Sequence, residues 1–204
     1  MPTLYRPLRK LALWVVVGWV GAGHAAAPAV QVQVRKLAGT YRILGQFDVA
    51  APPALAWAVL TDYAHFGDFI SSIRKSVLHP DTGNGVFLEQ EATAHALVFS
   101  KSLAVVLAVH EEDARRLAFE DVSHRDFDVY LGAWTLRSTP QGTQVEYRLR
   151  AKPKMAIPTF MGTRGFESSV RTLLTELENE IERRQATALP PPAQPSLSKR
   201  QDAP

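Results

Sequence analysis

The residue types that carry out catalysis or bind metals form no recognisable motif in this chain. Its six histidines are scattered, without the His-x-x-x-His or His-Glu spacing of a helical zinc site. Cysteine is absent, which excludes thiol nucleophiles, cysteine zinc sites and disulfide bonds. No glycine-rich phosphate loop and no serine–histidine–aspartate arrangement occurs in a recognisable context. We therefore expect no metal, no cofactor and no assigned catalytic residue, and the pattern favours a binding protein while leaving an enzyme open.

A few polar residues could still take part in chemistry. Asp62 could act as an acid or base at a pocket rim, but we favour a structural role in which it closes the first helix by accepting backbone hydrogen bonds. Lys101 is the one charge on an otherwise apolar strand segment. It could meet an acidic head group, or it could lie on the far side of a bulge. Glu89 and Glu91 share what we interpret as a solvated sheet face.

The basic character of the chain is concentrated at its beginning. The formal net charge is +3, but without residues 1–25 the 20 remaining basic residues equal the 20 acidic ones. This balance gives no electrostatic basis for nucleic-acid binding. A basic start, an apolar run over 11–20 and small residues around Ala25 are typical of a secretory signal peptide. We expect Sec-type export with cleavage after Ala25, and hence a periplasmic or secreted protein. The alternative is an uncleaved anchor, for which the run is shorter than the roughly 20 residues that span a bilayer.

Between residues 30 and 152 the sequence is typical of short strands, because apolar and polar residues alternate with the two-residue period of a half-buried strand. Residues 30–49 are interpreted as one strand interrupted by a turn or bulge at Gly39. Pro53 is expected to begin a short helix that ends near Tyr63, followed by a second short helical turn. The further predicted strands cover 76–79, 86–95, 98–110, 117–123, 133–138 and 145–151, with hairpin turns at 81–85 and 140–142.

A long amphipathic segment from Pro158 to Arg184 follows the strands. Its apolar residues recur at spacings of three and four, as on a helix with one buried face, at Phe166, Val170, Leu173, Leu177 and Ile181. We predict one α+β domain over residues 26–186, with an antiparallel sheet and this C-terminal helix. Residues 187–204 are rich in proline and are predicted to be a disordered tail.

Several short motifs occur in the same order as these elements. They are Ala51-Pro52, Trp57-Ala-Val-Leu-Thr-Asp-Tyr63, Phe66, Phe69, Gly132-Ala-Trp-Thr-Leu136, Gly142-Thr143 and Pro158. Together with the element order, they resemble the helix-grip fold of the START and polyketide-cyclase-like superfamily, most closely its coenzyme-Q-binding START branch. The resemblance covers about residues 30–184. It implies a curved antiparallel sheet wrapped around one long C-terminal helix, with two short helices after the first strand. It also implies a deep cavity that in most members holds lipids, polyketides or quinones.

The side chains expected to line such a cavity are mostly aromatic, and plain core packing is the equal alternative for the set. The candidates are Phe99, Leu103, Phe119, Trp134 and Tyr147 on the strands, Lys101 at the mouth, Tyr63, Phe66 and Phe69 at one rim, and Phe160, Met161 and Phe166 at the start of the long helix. We expect that start to act as a lid.

These expectations lead to one main function and two alternatives. The main one is an exported, non-enzymatic monomer that holds a hydrophobic small molecule, such as a lipid, isoprenoid or quinone, with transient membrane contact left open. The second is a cyclase or dehydratase that acts on a polyketide-like substrate in the same cavity through Asp62, Tyr63 or Lys101. The third is an interaction module with a collapsed cavity and a partner-binding tail.

Overall fold

The computed structural model describes residues 30–79, 86–96, 99–157 and 162–188. Within these ranges eight strands form one antiparallel sheet in the order β1-β2-β8-β7-β6-β5-β4-β3. The elements are β1 (Gln31–Leu37), β2 (Thr40–Val49), α1 (Pro53–Leu60), α2 (Phe66–Phe69), β3 (Ile73–His79), β4 (Val86–Ala96), β5 (Phe99–Glu112), β6 (Arg116–Asp121), β7 (Phe127–Thr139), β8 (Gly142–Pro153) and α3 (Gly162–Ala188). This is the predicted α+β helix-grip fold, with a curved sheet, two short early helices and one long C-terminal helix. The predicted leader at 1–25 and the turn at 81–85 lie outside the described residues.

The first two strands form a hairpin, so the prediction of a single interrupted strand was wrong. Leu37 pairs with Thr40, and only Ala38 and Gly39 lie between them. Their φ angles are 48° and 78°. Two successive positive φ angles are the signature of a type I′ turn, whose twist suits a two-residue hairpin. The alanine conceals this turn in the sequence, because residues with a β-carbon rarely adopt positive φ.

The short helices follow β2 as predicted. Pro53 is the first residue of α1, where its missing N–H would have no intrahelical partner in any case. Helix α1 buries Ala56, Val59 and Leu60, and a single 3₁₀ turn over Tyr63–His65 connects it to α2. The chain then enters β3 at one edge of the sheet.

The strand register defines which face of the sheet meets α3. Directly paired residues of antiparallel strands lie on the same face. Gly45 of β2 lies under α3, since a β-carbon added there would come 2.5 Å from the Leu174 Cδ1 atom. Gly45 pairs with Tyr147, and Tyr147 pairs with Trp134. The inner face of the sheet therefore carries Tyr147 and Trp134.

Helix α3 seals this face at one side of the sheet. Its buried stripe confirms the predicted period, because Val170, Leu174, Leu177 and Ile181 are all 5% exposed or less. The helix packs mainly against β1, β2 and α1. It continues to Ala188, two residues past the predicted domain boundary at 186, and the tail beyond it lies outside the described residues. In the described part of the chain no helix combines the length and apolarity needed to cross a bilayer.

Candidate functional site

Five aromatic side chains meet on the inner face of β6, β7 and β8, and we call them the inner aromatic cluster. Its members are Phe119, Phe127, Tyr130, Trp134 and Tyr147. The ring centroids of Trp134 and Tyr147 are 4.2 Å apart, and those of Phe127 and Tyr130 are 4.7 Å apart. Phe119 lies 6.0 Å from Tyr130 and 6.3 Å from Tyr147. These separations are typical of favourable aromatic pairs.

A glycine on β7 makes the close packing of this cluster possible. Phe119 pairs with Gly132 in the strand register. A β-carbon at Gly132 would come 2.6 Å from the Phe119 Cζ atom and 2.3 Å from the Arg148 carbonyl oxygen. Any other residue at this position would displace the ring of Phe119. The glycine in the Gly132-Ala-Trp-Thr-Leu136 motif thus has a packing role.

The members of the inner aromatic cluster differ in exposure. Phe119, Phe127 and Tyr147 are buried, whereas Tyr130 and Trp134 on β7 are only partly buried. The partly buried residues lie on the inner face, because Tyr130 pairs with the fully buried Ala151 and Trp134 pairs with Tyr147. The cluster therefore keeps accessible aromatic surface on the side of the sheet that also carries α3.

Two hydroxyl groups give this surface a polar centre. The hydroxyls of Tyr130 and Tyr147 interact with each other. Burial raises the pKa of Tyr147 well above its ordinary value, and Tyr130 adds to that effect. Burial also raises the pKa of Tyr130, and the negative charge of Asp121 contributes in the same direction. Both phenols remain protonated at neutral pH, so they can donate hydrogen bonds but are poor general bases.

A buried carboxylate lies on the same face of the sheet as these hydroxyls. Asp121, the last residue of β6, is 1% exposed. Its Oδ1 atom accepts hydrogen bonds from the Val106 N–H at 3.1 Å, the Ser123 N–H at 2.9 Å and the Ser123 hydroxyl at 2.7 Å. Its Oδ2 atom is buried without a hydrogen-bond partner. Asp121 thus fixes the end of β6 against β5 through one oxygen only.

The three residues predicted at the rim form a separate aromatic row near α2. Tyr63 and Phe66 meet edge to face at 5.7 Å, and Phe66 meets Phe69 in the same way at 5.7 Å. The Tyr63 hydroxyl donates a 2.6 Å hydrogen bond to Glu111 Oε1. Burial raises the pKa of Tyr63, and the hydrogen bond to Glu111 raises it further. Tyr63 therefore remains a neutral donor that is already engaged.

Asp62 has a structural role, but not the one that the sequence suggested. Its side chain caps no helix. Instead Asp62 Oδ2 accepts a 2.7 Å hydrogen bond from Arg184 Nη2, and Asp62 Oδ1 lies 2.6 Å from His65 Nδ1. Burial opposes ionisation of Asp62, but these two partners outweigh it and keep the pKa of Asp62 below its usual value. The residue therefore joins the end of α1 to the end of α3.

This ion pair belongs to a larger network, which we call the helix-end network. Arg184 also donates to Glu180 Oε1 at 2.6 Å, and its guanidinium lies 5.5 Å from the centroid of the Phe69 ring. A polar cavity of about 300 Å³ adjoins it, lined by Asp62, His65, Asp68, Phe69, Glu180, Arg183 and Arg184. Most of these charges are already paired. In the described ranges no three acidic or histidine side chains come close enough together to hold a metal ion.

The remaining predicted site residues lie in other places. Phe166 packs on Tyr41 with ring centroids 4.3 Å apart, near the start of α3. Leu103 is partly buried against the core on β5. The backbone of Phe99 and Lys101 belongs to β5, while their side chains lie outside the described part of the chain, as do Phe160 and Met161. Of the predicted set, the structure brings Phe119, Trp134 and Tyr147 together and groups Tyr63, Phe66 and Phe69 elsewhere.

Three site residues were missed in the sequence. Phe127 and Tyr130 were assigned to a loop because the predicted strand began only at residue 133, whereas β7 begins at Phe127. A register irregularity between Phe127 and Val129 disturbs the alternation there. Asp121 had a usable signal, since it shares the alternation of Leu117 and Phe119 within a predicted strand. That alternation places a carboxylate on a buried face.

Comparison with known proteins supports the same architecture. The family model described as polyketide cyclase / dehydrase and lipid transport matches residues 49–178. No curated protein matches the chain significantly.

Solved structures with similar folds include a lipid transfer protein, a START superfamily protein and an aromatase/cyclase. A STAR-related lipid transfer protein fragment from Xanthomonas axonopodis is 18% identical, with 77% of this chain and 96% of that chain covered and a TM-score of 0.62. A START superfamily protein from Mycobacterium smegmatis is 14% identical, with 70% of this chain and 98% of that chain covered and a TM-score of 0.61. The Zhui aromatase/cyclase from Streptomyces sp. R1128 is 15% identical, with 72% of this chain and 96% of that chain covered and a TM-score of 0.58. At these identities the likeness demonstrates a shared fold.

Proposed function

Because the chain belongs to the family of polyketide cyclases, dehydrases and lipid-transport proteins, we propose that it is a binding protein that holds a hydrophobic small molecule between the sheet and α3. The observation that carries this proposal is the accessible aromatic surface of Tyr130 and Trp134 on the inner face of the sheet. Covering such surface with an apolar ligand contributes roughly 25 cal/mol per Å² before the costs of association.

The position of α3 supports the proposal. The helix packs mainly against β1, β2 and α1, and Gly45 lets it approach β2 closely. The inner aromatic cluster lies on β6, β7 and β8, further along the same face. A ligand could therefore lie against the cluster with α3 as one wall.

The polar centre of the cluster restricts the kind of ligand. Neutral phenols favour a ligand with an uncharged polar group, because they can donate to an oxygen but cannot balance a negative charge. A lipid, an isoprenoid or a quinone with a neutral head group satisfies this requirement. We include membership of the coenzyme-Q-binding START branch in the proposal, because the motifs around Trp57–Tyr63 resemble that branch most closely.

We also propose that the protein is exported and acts as a monomer. The support for export is the leader pattern over residues 1–25. Sequencing the N-terminus of protein purified from the native host should give a first residue at or near Ala26. An intact Met1 would contradict cleavage without affecting the binding proposal.

Two measurements test the binding function. Native mass spectrometry of the purified protein should show a retained apolar molecule that is released under denaturing conditions. Binding of a soluble short-chain quinone, decylubiquinone, should quench the fluorescence of Trp134 on ligand contact. The variant Trp134→Phe should lose most of the quenching, and Trp57→Phe on α1 is the matched control that should keep it. Absence of both a retained molecule and any quenching would remove the proposal.

An enzyme of the cyclase or dehydratase type is a second candidate, because polar groups of Asp121, Tyr130 and Tyr147 converge on the inner face. Two of the three residues considered for this role, Asp62 and Tyr63, bond Arg184 and Glu111 instead. The side chain of the third, Lys101, lies outside the described part of the chain. Incubating the protein with a bound polyketide-like thioester and recovering the ligand distinguishes the two candidates. Unchanged mass and absorbance spectrum support binding alone, whereas a changed product that depends on Asp121 supports the enzyme.

A further inference from the structure

The buried oxygen of Asp121 is the polar atom of the interior that most requires a partner. In the described part of the chain three buried side-chain polar atoms have none: the hydroxyls of Tyr41 and Thr93, and Oδ2 of Asp121. The first two are neutral groups. A carboxylate oxygen without a donor is more costly, because burial removes water from an atom that carries negative charge.

The environment of Asp121 explains why only one of its oxygens lacks a partner. All three protein donors converge on Oδ1, where they join β5, β6 and the turn at Ser123. These bonds hold the carboxyl group in a fixed orientation and leave Oδ2 as the available acceptor. An ionised carboxyl group accepts hydrogen bonds and donates none.

The strand pattern places this oxygen with the inner aromatic cluster. Asp121 pairs with the buried Leu107, and it alternates with Leu117 and Phe119 along β6. The charge of Asp121 also acts on the Tyr130 hydroxyl, which in turn interacts with Tyr147. A carboxylate and two phenols therefore share one face of the sheet, with the carboxylate close enough for its charge to act on Tyr130.

We propose that Asp121 Oδ2 accepts a hydrogen bond from a hydroxyl group of the bound apolar ligand, so that the site selects an alcohol or a phenol. This inference rests on the proposed binding function. A hydroxyl group has the complementary pattern, because its proton bonds to Asp121 while its oxygen accepts a hydrogen bond from Tyr130 or Tyr147. An ether or ester leaves Oδ2 unpaired, and a ligand carboxylate is repelled by the charge of Asp121.

A matched set of three probes tests this selectivity on the wild-type protein. Farnesol, farnesyl methyl ether and farnesoic acid share one isoprenoid chain and differ only at the head group. Titration followed by Trp134 fluorescence should give a dissociation constant for farnesol at least about tenfold lower than for the ether, as expected for a hydrogen bond to a charged acceptor. The acid should bind more weakly than farnesol.

The variant Asp121→Asn assigns the effect to this residue. Asparagine keeps an Oδ1 acceptor for the three protein donors but replaces the second oxygen with an NH₂ donor. The tenfold preference for farnesol should disappear, and farnesoic acid should bind better than it binds the wild type. Tyr41→Phe, which removes another buried hydroxyl without a partner, is the control that should keep the preference.

The outcomes separate this inference from the function on which it rests. Equal binding of farnesol and its methyl ether to the wild type overturns the inference and leaves the binding function intact. This result is also expected if a water molecule is the hydrogen-bond partner of Oδ2. A farnesol preference that persists in Asp121→Asn overturns the assignment to Asp121. If none of the three probes binds, the inference is overturned, whereas the binding function is decided separately by the retained molecule and by decylubiquinone quenching. The comparison on the wild type remains decisive even if Asp121→Asn does not fold.

Discussion

Arg184 shows how a single residue can join the end of α1 to the end of α3. Its guanidinium bonds Glu180 within α3 and Asp62 just after α1, and it covers the ring of Phe69. A single ion pair near the surface contributes little to the free energy of unfolding. A cation that is shared by two carboxylates holds the side chains in place better than isolated pairs do. Hydrogen bonds from Arg183 and Arg184 outweigh burial and keep the pKa of Glu180 low. The carboxyl groups of Asp62 and Glu180 therefore lose their protons at a lower pH than free carboxyl groups do.

The pH dependence of stability should reveal the contact between His65 and Asp62. The hydrogen bond to Asp62 raises the pKa of His65 in the folded state. The contribution of this pair is therefore complete below the unfolded value of about 6.5 and is lost as the pH rises through the higher folded value. The variant His65→Ala should lower the melting temperature more at pH 5.5 than at pH 9. The exposed His110 on β5 supplies the control variant His110→Ala. A loss for His65→Ala that is equal at both pH values would show that the contact does not stabilise the fold electrostatically.

At the scale of elements, the close seating of α3 on β2 determines the shape of the interior. The helix can approach because Gly45 has no side chain beneath Leu174. The two glycines near the start of α3, Gly162 and Gly165, differ in their surroundings. A β-carbon at Gly162 would come 2.6 Å from the Tyr41 hydroxyl oxygen, whereas one at Gly165 would meet nothing within 4 Å. Only Gly165 is free of packing constraints.

Alanine at these glycines should have opposite effects on stability. Gly45→Ala forces Leu174 and α3 to move and should destabilise the fold by about 1–3 kcal/mol, as overpacked cores do. Gly165→Ala meets no neighbour and should stabilise the helix by about 0.5–1 kcal/mol, because glycine is a poor helix former. Urea denaturation of the two variants measures both changes. If Gly45→Ala is as stable as the wild type, the close contact between α3 and β2 does not exist in solution.

The buried stripe of α3 gives a second element-scale prediction. Leu177 is 1% exposed and belongs to the core cluster. Leu177→Asp should unfold the domain, because it places an unpaired charge in the core. Circular dichroism detects this loss of structure. The neighbouring Glu178→Asp, which keeps the charge of that position, is the control, and a folded Leu177→Asp protein would mean that α3 is not required for the core.

The whole molecule combines a tightly packed half and an accessible half. Helix α3, β1, β2 and α1 form the packed half, while β7 presents partly buried aromatic residues on the same inner face. A folded domain that leaves such surface accessible gains stability when a ligand covers it, because the ligand binds the folded state and not the unfolded chain.

Ligand binding should therefore raise the thermal stability of the whole domain. Free ligand at about 100 times its dissociation constant stabilises a protein by about 2.7 kcal/mol. For a domain of this size that corresponds to a rise in melting temperature of roughly 5–10 °C. Differential scanning fluorimetry with decylubiquinone or farnesol measures the shift. No shift at concentrations that saturate the tryptophan signal would mean that the ligand binds the unfolded chain as tightly as the folded domain.

Local patterns in the sequence were sufficient to predict most of the elements and the fold, although they missed the first hairpin and the beginning of β7. The alternation on β8, the period of α3 and the start of α1 at Pro53 are confirmed, because each depends only on residues that are neighbours along the chain. The superfamily, inferred from the resemblance of several motifs and of the element order, is confirmed as well. The leader, its cleavage and the coenzyme-Q branch stay predictions.

The arrangement of the site depends on contacts between residues that are far apart in sequence. Asp62 and Arg184 are separated by 122 positions, and no local pattern pairs them. Likewise, alternation shows that Asp121 belongs on a buried face, but it does not show that three donors converge on one oxygen and leave the other without a partner. The strand register and the packing of α3 on the sheet determine which of these residues are in contact. Both are defined only when the whole sheet is assembled. The sequence by itself determined most of the elements and the face on which the side chains of the correctly predicted strands lie. The tertiary structure decided which of those side chains meet, because that depends on the geometry between elements.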